Sequence, residues 1–501
     1  MTKSSQIVIF SLCLSLVGAF GGAPVNAKEA EPDKAQLQRG RDNWFNKTYG
    51  GGKFFDFLEH HPDPTKRIKI GFENAILTPR NQRFQAWGTI NDPDCKANPK
   101  GGADICKDPE ATGIIGIRKS LGANGQTLYG VSCASCHAGF HPLHPPKDPN
   151  EPKWFNIHPS IGNQFLDSGK IFSANMAPQD VRRLMLAAWP KGTFDTTLLF
   201  NDGIMNPGTI TAFWNLPHRP LFEVGMSEPK NRGGQGGEDD VGGDLAAIRV
   251  YTNVGVCFSE CVASRPGLPI DLNQCRRDCR DFPPQNEIND MVSFMRSTKS
   301  PRYPIWEGLN PIQYAKGYKV FTKNCASCHG GDPLILSNDE VNPLRADPEN
   351  ATNACRALST NWETNRLWSQ FSSNVYKNRV TEGNRGYRTM PLAGIWATAP
   401  FLHNQSVGSW ADPTQSVEER GLVYEASMQE LLSKNRTPKV NVTPVAVGPF
   451  PAGTPLAYIF SRDPATGSVL CTDTVENRGH YYGSQLSAPD KNSLIHWLKY
   501  Q

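Results

Sequence analysis

Cys133-Ala134-Ser135-Cys136-His137 and Cys325-Ala326-Ser327-Cys328-His329 decide the reading of this chain. Both are C-x-x-C-H, the attachment sequence for c-type haem. The spacing has a chemical reason. Two thiols on one helical turn reach the two vinyl groups of one porphyrin as thioethers, and the imidazole that follows lies under the iron as proximal ligand. A zinc site or a thioredoxin-like redox pair competes for any C-x-x-C pair. Haem is favoured because a histidine follows directly in both copies and because the chain carries an export signal.

That signal lies at the N-terminus. Lys3 gives a short positive region, Ile7 to Phe20 is apolar, and Val25-Asn26-Ala27 fits a small-x-small cleavage pattern. Residues 1–27 therefore read as a Sec-type signal peptide, and the protein as periplasmic or secreted. No other stretch approaches about 18 apolar residues, so no membrane span is expected in the mature chain. Across 501 residues, 52 basic and 48 acidic side chains give a net charge of +4. That balance leaves no polycationic footprint and argues against nucleic acid as a partner.

Thirteen cysteines fit an oxidising compartment. Cys13 falls in the signal peptide and four belong to the haem motifs. Cys95, Cys106, Cys257, Cys261, Cys275, Cys279, Cys355 and Cys471 remain. Cys257/Cys261 and Cys275/Cys279 are each spaced by four, which puts each pair on one helix face. The turn Arg265-Pro266-Gly267-Leu268-Pro269 between them predicts a helical hairpin stapled as Cys257–Cys279 and Cys261–Cys275. Four-thiolate metal binding is the alternative. Cys95–Cys106 would close a loop rich in Gly, Pro and Asp, and Cys355–Cys471 follows by subtraction.

The expected fold is mainly α, with two cytochrome c-like haem domains, long loop-rich insertions and few short strands. Gly317 to Phe321 leads into Cys325 as a first helix, with Tyr318 and Phe321 on one face; Gly125 to Gly130 is a looser lead-in to Cys133. Residues 28–40 read as a short leader. Each half ends in an amphipathic helix: Ile288, Met291, Val292 and Met295 recur at helical spacing, and Leu494, Ile495 and Leu498 follow a capping-box pattern starting at Ser487. Ser297 to Pro304 has linker composition, which sets the domains at 28–300 and 301–501. Val440 to Tyr458 reads as a hairpin or an extended loop.

The segment Thr389-Met390-Pro391-Leu392-Ala393-Gly394-Ile395-Trp396-Ala397-Thr398-Ala399-Pro400-Phe401-Leu402-His403-Asn404, taken with the two C-x-x-C-H sites, resembles the bacterial di-haem cytochrome c peroxidase superfamily. In that family the corresponding element lines the second haem. Here Ala393-Gly394 replaces an Arg-Asn pair and Gln405 replaces a Gly. Tyr129 to Gly139 and Asn477-Arg478-Gly479-His480 look most like the rubber-oxygenase (RoxA-type) branch.

The resemblance implies roles. His480 would be the sixth ligand of the second haem, opposite His329, with Met390 and the tyrosines Tyr481 and Tyr482 as rivals. The first haem would have His137 alone and an open face for peroxide or dioxygen. Phe213-Trp214 resembles an aromatic pair near the haems, which makes Trp214 an electron relay; the plain alternative is two core aromatics. His158 and His218 are candidates for the distal side of the first haem, Glu223 for a distal acid/base, and His403 for a position near the second haem. The run from Gly233 to Asp244 is either a Ca²⁺-holding loop with oxygen ligands or a solvated one.

Two covalently bound haems c suit an oxidoreductase. A haem with two protein ligands serves electron transfer, and one with a vacant position binds a substrate. The leading expectation is a cytochrome c peroxidase-like enzyme. It reduces hydrogen peroxide at the N-terminal haem with electrons from a small periplasmic redox protein, a cytochrome c or a cupredoxin, delivered through the C-terminal haem. The alternatives are a haem-dependent dioxygenase cleaving alkene or polyisoprenoid double bonds, and a non-enzymatic di-haem electron carrier.

Overall fold

The computed structural model describes residues 33–61, 67–194, 207–214, 284–329, 392–440 and 475–501, with 64, 442, 446, 451–454, 459–462 and 469–473. Helices dominate, and the described strands form short two-stranded ladders. The elements that position the haem motifs are α1 (Lys34–Asn46), β1 (Ile117–Leu121), β2 (Thr127–Val131), α2 (Cys133–His137), β3 (Gly139–Phe140), β4 (Ile157–His158), α3 (Gln285–Ser297), α4 (Pro311–Asn324), α5 (Ala326–His329), α6 (Val417–Leu431) and α7 (Ala488–Lys499).

Each half is framed by its first and last helix. In the second half α4 packs on α7, and in the first half α1 packs on α3. Both crossings are made at a glycine. A β-carbon on Gly317 would lie 2.0 Å from the Ser493 carbonyl oxygen, and one on Gly40 would lie 2.0 Å from that of Asp290. Four residues on, each helix buries an aromatic, Trp44 or Phe321. Phe321 stacks on Trp497 with ring centroids 4.5 Å apart. Residues i and i+4 share a helix face, so one crossing uses both positions.

The apolar faces read from the sequence are the buried ones. Ile288, Met291, Val292 and Met295 line the first core, and Leu494, Ile495 and Leu498 the second. Ser487 caps α7 by accepting from the Asp490 amide, and Asn310 caps α4 by accepting from Ile312 and Gln313, with Pro311 at the first helical position.

Two readings need correction. Residues 34–40, read as part of a leader, instead open the first framing helix, α1, which an Arg39–Asp290 ion pair holds to α3. The segment before Cys133 is a strand: β2 pairs antiparallel with β1, from Ile117 opposite Val131 to Leu121 opposite Thr127. The first framing helix thus stands far upstream of its haem motif. Tyr318 and Phe321 do share a face, both against Trp497 with ring centroids 5.8 and 4.5 Å apart, Phe321 buried and Tyr318 47% exposed at the rim.

The linker-like segment is packed: Tyr303 is buried, and Trp396 Nε1 donates to the Pro301 carbonyl at 2.6 Å. A two-stranded antiparallel pair over residues 459–462 and 469–473 follows the Val440 to Tyr458 stretch. Cys95 and Cys106 are bridged as expected. The hairpin cysteines Cys257, Cys261, Cys275 and Cys279, Cys355 and the side chain of Cys471 lie outside the described residues.

Candidate haem centres

The first motif sits on α2, one helical turn. Its geometry is set by Ser132, whose hydroxyl donates to the Phe45 carbonyl at 2.8 Å, and by Gly116, which passes close over the turn. At Gly116 φ is +77°, and a β-carbon there would lie 2.2 Å from the Ser135 nitrogen, so no side chain fits. Cys133 and Cys136 are unpaired thiols. Burial pushes the Cys133 thiol up to about 12, so it stays protonated.

His137 Nδ1 lies 2.9 Å from the Thr211 carbonyl and donates to it. That bond fixes the tautomer and leaves Nε2 with its lone pair outward, the arrangement of a metal-ligating imidazole. Burial holds His137 down at about 4, so the ring is neutral, the form that ligates a metal, at neutral pH. Phe213 lies against the imidazole, centroids 4.0 Å apart and 31° between planes, and Trp44 closes the side.

In the second motif Cys325 caps α4 and His329 ends α5. His480 arrives opposite from a loop near the C-terminus. The two imidazole centroids are 6.4 Å apart, with 67° between the planes. Two metal–nitrogen bonds of about 2.0 Å, each extended by about 1 Å from nitrogen to ring centre, span about 6 Å. The gap therefore fits one iron between two imidazoles. His480 Nδ1 is buried without a hydrogen-bond partner. Burial, and next the neighbouring His329 and Arg436, hold His480 down at about 4, in its neutral, ligating form. The donor set suits the implied group: a thiol pair, a proximal imidazole and a facing neutral imidazole. Cys133, Cys136, Cys325 and Cys328 are the free cysteines among the described residues.

Between the motifs runs Phe213-Trp214. Phe213 belongs to the first core and Trp214 to the second. Trp214 is 2% exposed and its Nε1 donates to the Ala393 carbonyl at 2.9 Å. One peptide unit thus joins the ring against His137 to the element flanking the second motif. Further bonds dock that element on the first half: Gln164 Nε2 to Ala397 O at 3.1 Å and the Thr209 amide to His403 O at 2.6 Å.

Both departures from the family pattern gain a reason here. Gly394 has φ +72°, and its β-carbon would lie 2.8 Å from Trp214 Cζ2, so the indole occupies the side-chain space. Gln405 keeps a left-handed backbone, φ +54°, where the family has Gly. Its buried side chain donates to the Gly192 carbonyl at 3.0 Å and accepts from Trp410 Nε1 at 3.1 Å.

His158 is not available as a distal group. Its Nε2 donates to the Lys299 carbonyl at 3.1 Å and its Nδ1 accepts from the Ser160 amide at 3.3 Å. It sits instead beside Trp214, centroids 5.4 Å apart, with His141 and His144 stacked behind. Glu223, His218, Met390 and the glycine-rich acidic run 233–244 lie outside the described residues. Sequence reasoning missed Thr211, Trp44 and the residues that hold the His480 loop. The recurrence of Gly-x-x-x-aromatic at Gly40/Trp44 and Gly317/Phe321 was a usable signal for Trp44.

Compared with known families, residues 386–424 match a family model described as RoxA-like, cytochrome c-like. That stretch holds the element docked on Trp214 and the start of α6. It agrees with the resemblance to the RoxA-type branch, and a cytochrome c-like segment implies covalently bound haem c. No curated protein matches the chain at a significant level. No described helix is long and apolar enough to cross a membrane.

Proposed function

We propose that this protein is a di-haem c-type oxidoreductase of the RoxA-like kind that reduces hydrogen peroxide with electrons from a small redox protein. One haem is held by Cys133, Cys136 and His137, the other by Cys325, Cys328, His329 and His480, in domains spanning 28–300 and 301–501. Bound in this way, haem c supplies an iron that changes oxidation state and, where a ligand position is vacant, takes a small molecule.

The observation that carries the reading is the unequal surroundings of the two motif histidines. His329 faces a second neutral imidazole at 6.4 Å. His137 is fixed by Thr211 and covered by Phe213 on its own side, and no described histidine faces it as His480 faces His329. The chain's residues then divide the work. His480 closes the second centre to substrates and suits it to receiving electrons. Phe213 lies against the His137 ring, and Trp214, joined to it by one peptide unit, is bonded to the Ala393 carbonyl of the second half. Peroxide reduction needs two electrons and two protons per two waters formed, and two linked centres can hold both electron equivalents. Glu223 remains the proposed proton donor, and the acidic run 233–244 a proposed Ca²⁺ loop. Residues 1–27 and the Cys95–Cys106 bridge support a periplasmic or secreted location.

A dioxygenase cleaving alkene or polyisoprenoid double bonds is the second reading, favoured by the RoxA-like match. The test is paired. Peroxide turnover is measured with a reduced cytochrome c or cupredoxin, and oxygen uptake with polyisoprene. Peroxide consumption coupled to donor oxidation at two donors per peroxide supports the first reading. Oxygen uptake with carbonyl products and no donor requirement replaces it with the second. Neither activity, with two low-spin signals and no high-spin signal, leaves an electron carrier.

A further inference from the structure

His480 has an unusual backbone. Its φ is +52°, in the left-handed region that side chains other than Gly, Asn and Asp seldom adopt, and it follows Gly479 at φ +91°. A strained residue of this kind persists only where its surroundings hold it. The holding group is Arg436, which is 9% exposed. Its guanidinium has five N–H donors, and each meets a backbone carbonyl. Nη1 donates to Asn477 at 3.0 Å and Gly479 at 2.7 Å; Nη2 donates to His480 at 3.2 Å and Leu431 at 2.5 Å; Nε donates to Glu430 at 3.0 Å.

Three of those acceptors lie in the loop that carries His480, and two at the C-terminal end of α6. A cation there also complements the helix dipole. The guanidinium carbon lies 4.9 Å from the centre of the Tyr481 ring, the residue after His480. The same loop is pinned from the other side: Asn404 Nδ2 and Ser406 Oγ both donate to the Glu476 carbonyl, at 3.1 and 2.9 Å. These two belong to the matched segment 386–424.

We propose that Arg436 is the positioning residue for the second haem's sixth ligand, fastening the 477–480 backbone to the end of α6 so that the His480 imidazole stands opposite His329. This rests on the reading of His480 as that ligand. Lysine cannot replace it: three donors on a point charge cannot serve five carbonyls in a plane. Because the guanidinium is a buried cation near that centre, its loss also favours the ferric over the ferrous state and lowers the centre's reduction potential.

The test uses the full-length holoprotein and three variants, Arg436→Met, Arg436→Lys and His480→Ala, examined by electron paramagnetic resonance, visible spectra and redox titration. His480→Ala is expected to lose the bis-imidazole low-spin signal of one haem and regain a low-spin spectrum with added imidazole. Arg436→Met is expected to lose at least half of the same signal, to regain it with imidazole, and to lower that haem's midpoint potential while the other haem's stays unchanged. Arg436→Lys should fall between it and the parent, which keeps the test alive if the methionine variant does not fold. A purely structural role would leave the signal, the potential and the imidazole response of folded variants unmoved, and that result in Arg436→Lys or Arg436→Met overturns the proposal. An unchanged low-spin signal in His480→Ala refutes the ligand reading and this proposal with it; loss there but not in the Arg436 variants refutes only the role of Arg436.

Discussion

Gly394→Ala tests whether Trp214 is locked between the two halves. The β-carbon would stand 2.8 Å from Trp214 Cζ2 and 2.9 Å from Ser300 Cβ, on a backbone with φ +72°. Two costs add. A left-handed alanine costs about 1–2 kcal/mol. Forcing one more carbon into a filled site costs about 1–3 kcal/mol. The expected destabilisation is about 2–5 kcal/mol, read from denaturant unfolding followed by circular dichroism. A double-mutant cycle separates the two. In a Trp214→Leu background the indole is gone, the backbone cost remains, and the Ser300 contact is common to both arms. Gly394→Ala should then cost about 1 kcal/mol or more less than in the parent, a coupling typical of residues in contact. If the two substitutions add to within about 0.5 kcal/mol, Trp214 is not packed against Gly394 and the bridge described above is wrong.

Other outcomes follow from the same geometry. Trp214→Phe should slow donor-supported peroxide turnover while leaving reduction of the second haem by the donor unchanged, a difference that stopped-flow spectroscopy resolves; equal slowing of both steps would dismiss the relay. His158 is held down at about 4 by burial, against an ordinary value of 6.5. Between those pH values the unfolded chain binds the proton and the native one does not. Stability is therefore lost as pH falls from about 6.5 to about 4, by about 3 kcal/mol for this group, and a His158→Gln variant should show a shallower decline. Replacing Cys95 and Cys106 together by Ala opens a loop with a sequence separation of 11. It should lower stability by about 2–3 kcal/mol and leave both haem spectra intact, since the bridge serves the scaffold alone. Cys325→Ala with Cys328→Ala should halve the pyridine haemochrome yield per chain; an unchanged yield would remove the second covalent haem.

The two C-x-x-C-H motifs, the Cys95–Cys106 bridge and the buried faces of the helices framed by Ile288 to Met295 and Leu494 to Leu498 were legible in the sequence alone. Each is a short-range pattern: thiol spacing, hydropathy over a few turns, or a cap three residues from its partner. Partnership at long range was not legible. Residues 34–40 read as leader; only contact with α3 shows that they open a helix whose Gly40 and Trp44 make the first half's helix crossing. His158 invited a distal role until Lys299 and Ser160 took both of its nitrogens. Arg436 carries no local sign of its task, since its five acceptors are backbone carbonyls spread over residues 430–480, and carbonyls have no sequence signature. What the covalent chemistry requires is written along the chain; which imidazole faces which, and what holds it there, depends on backbone atoms that only folding brings together.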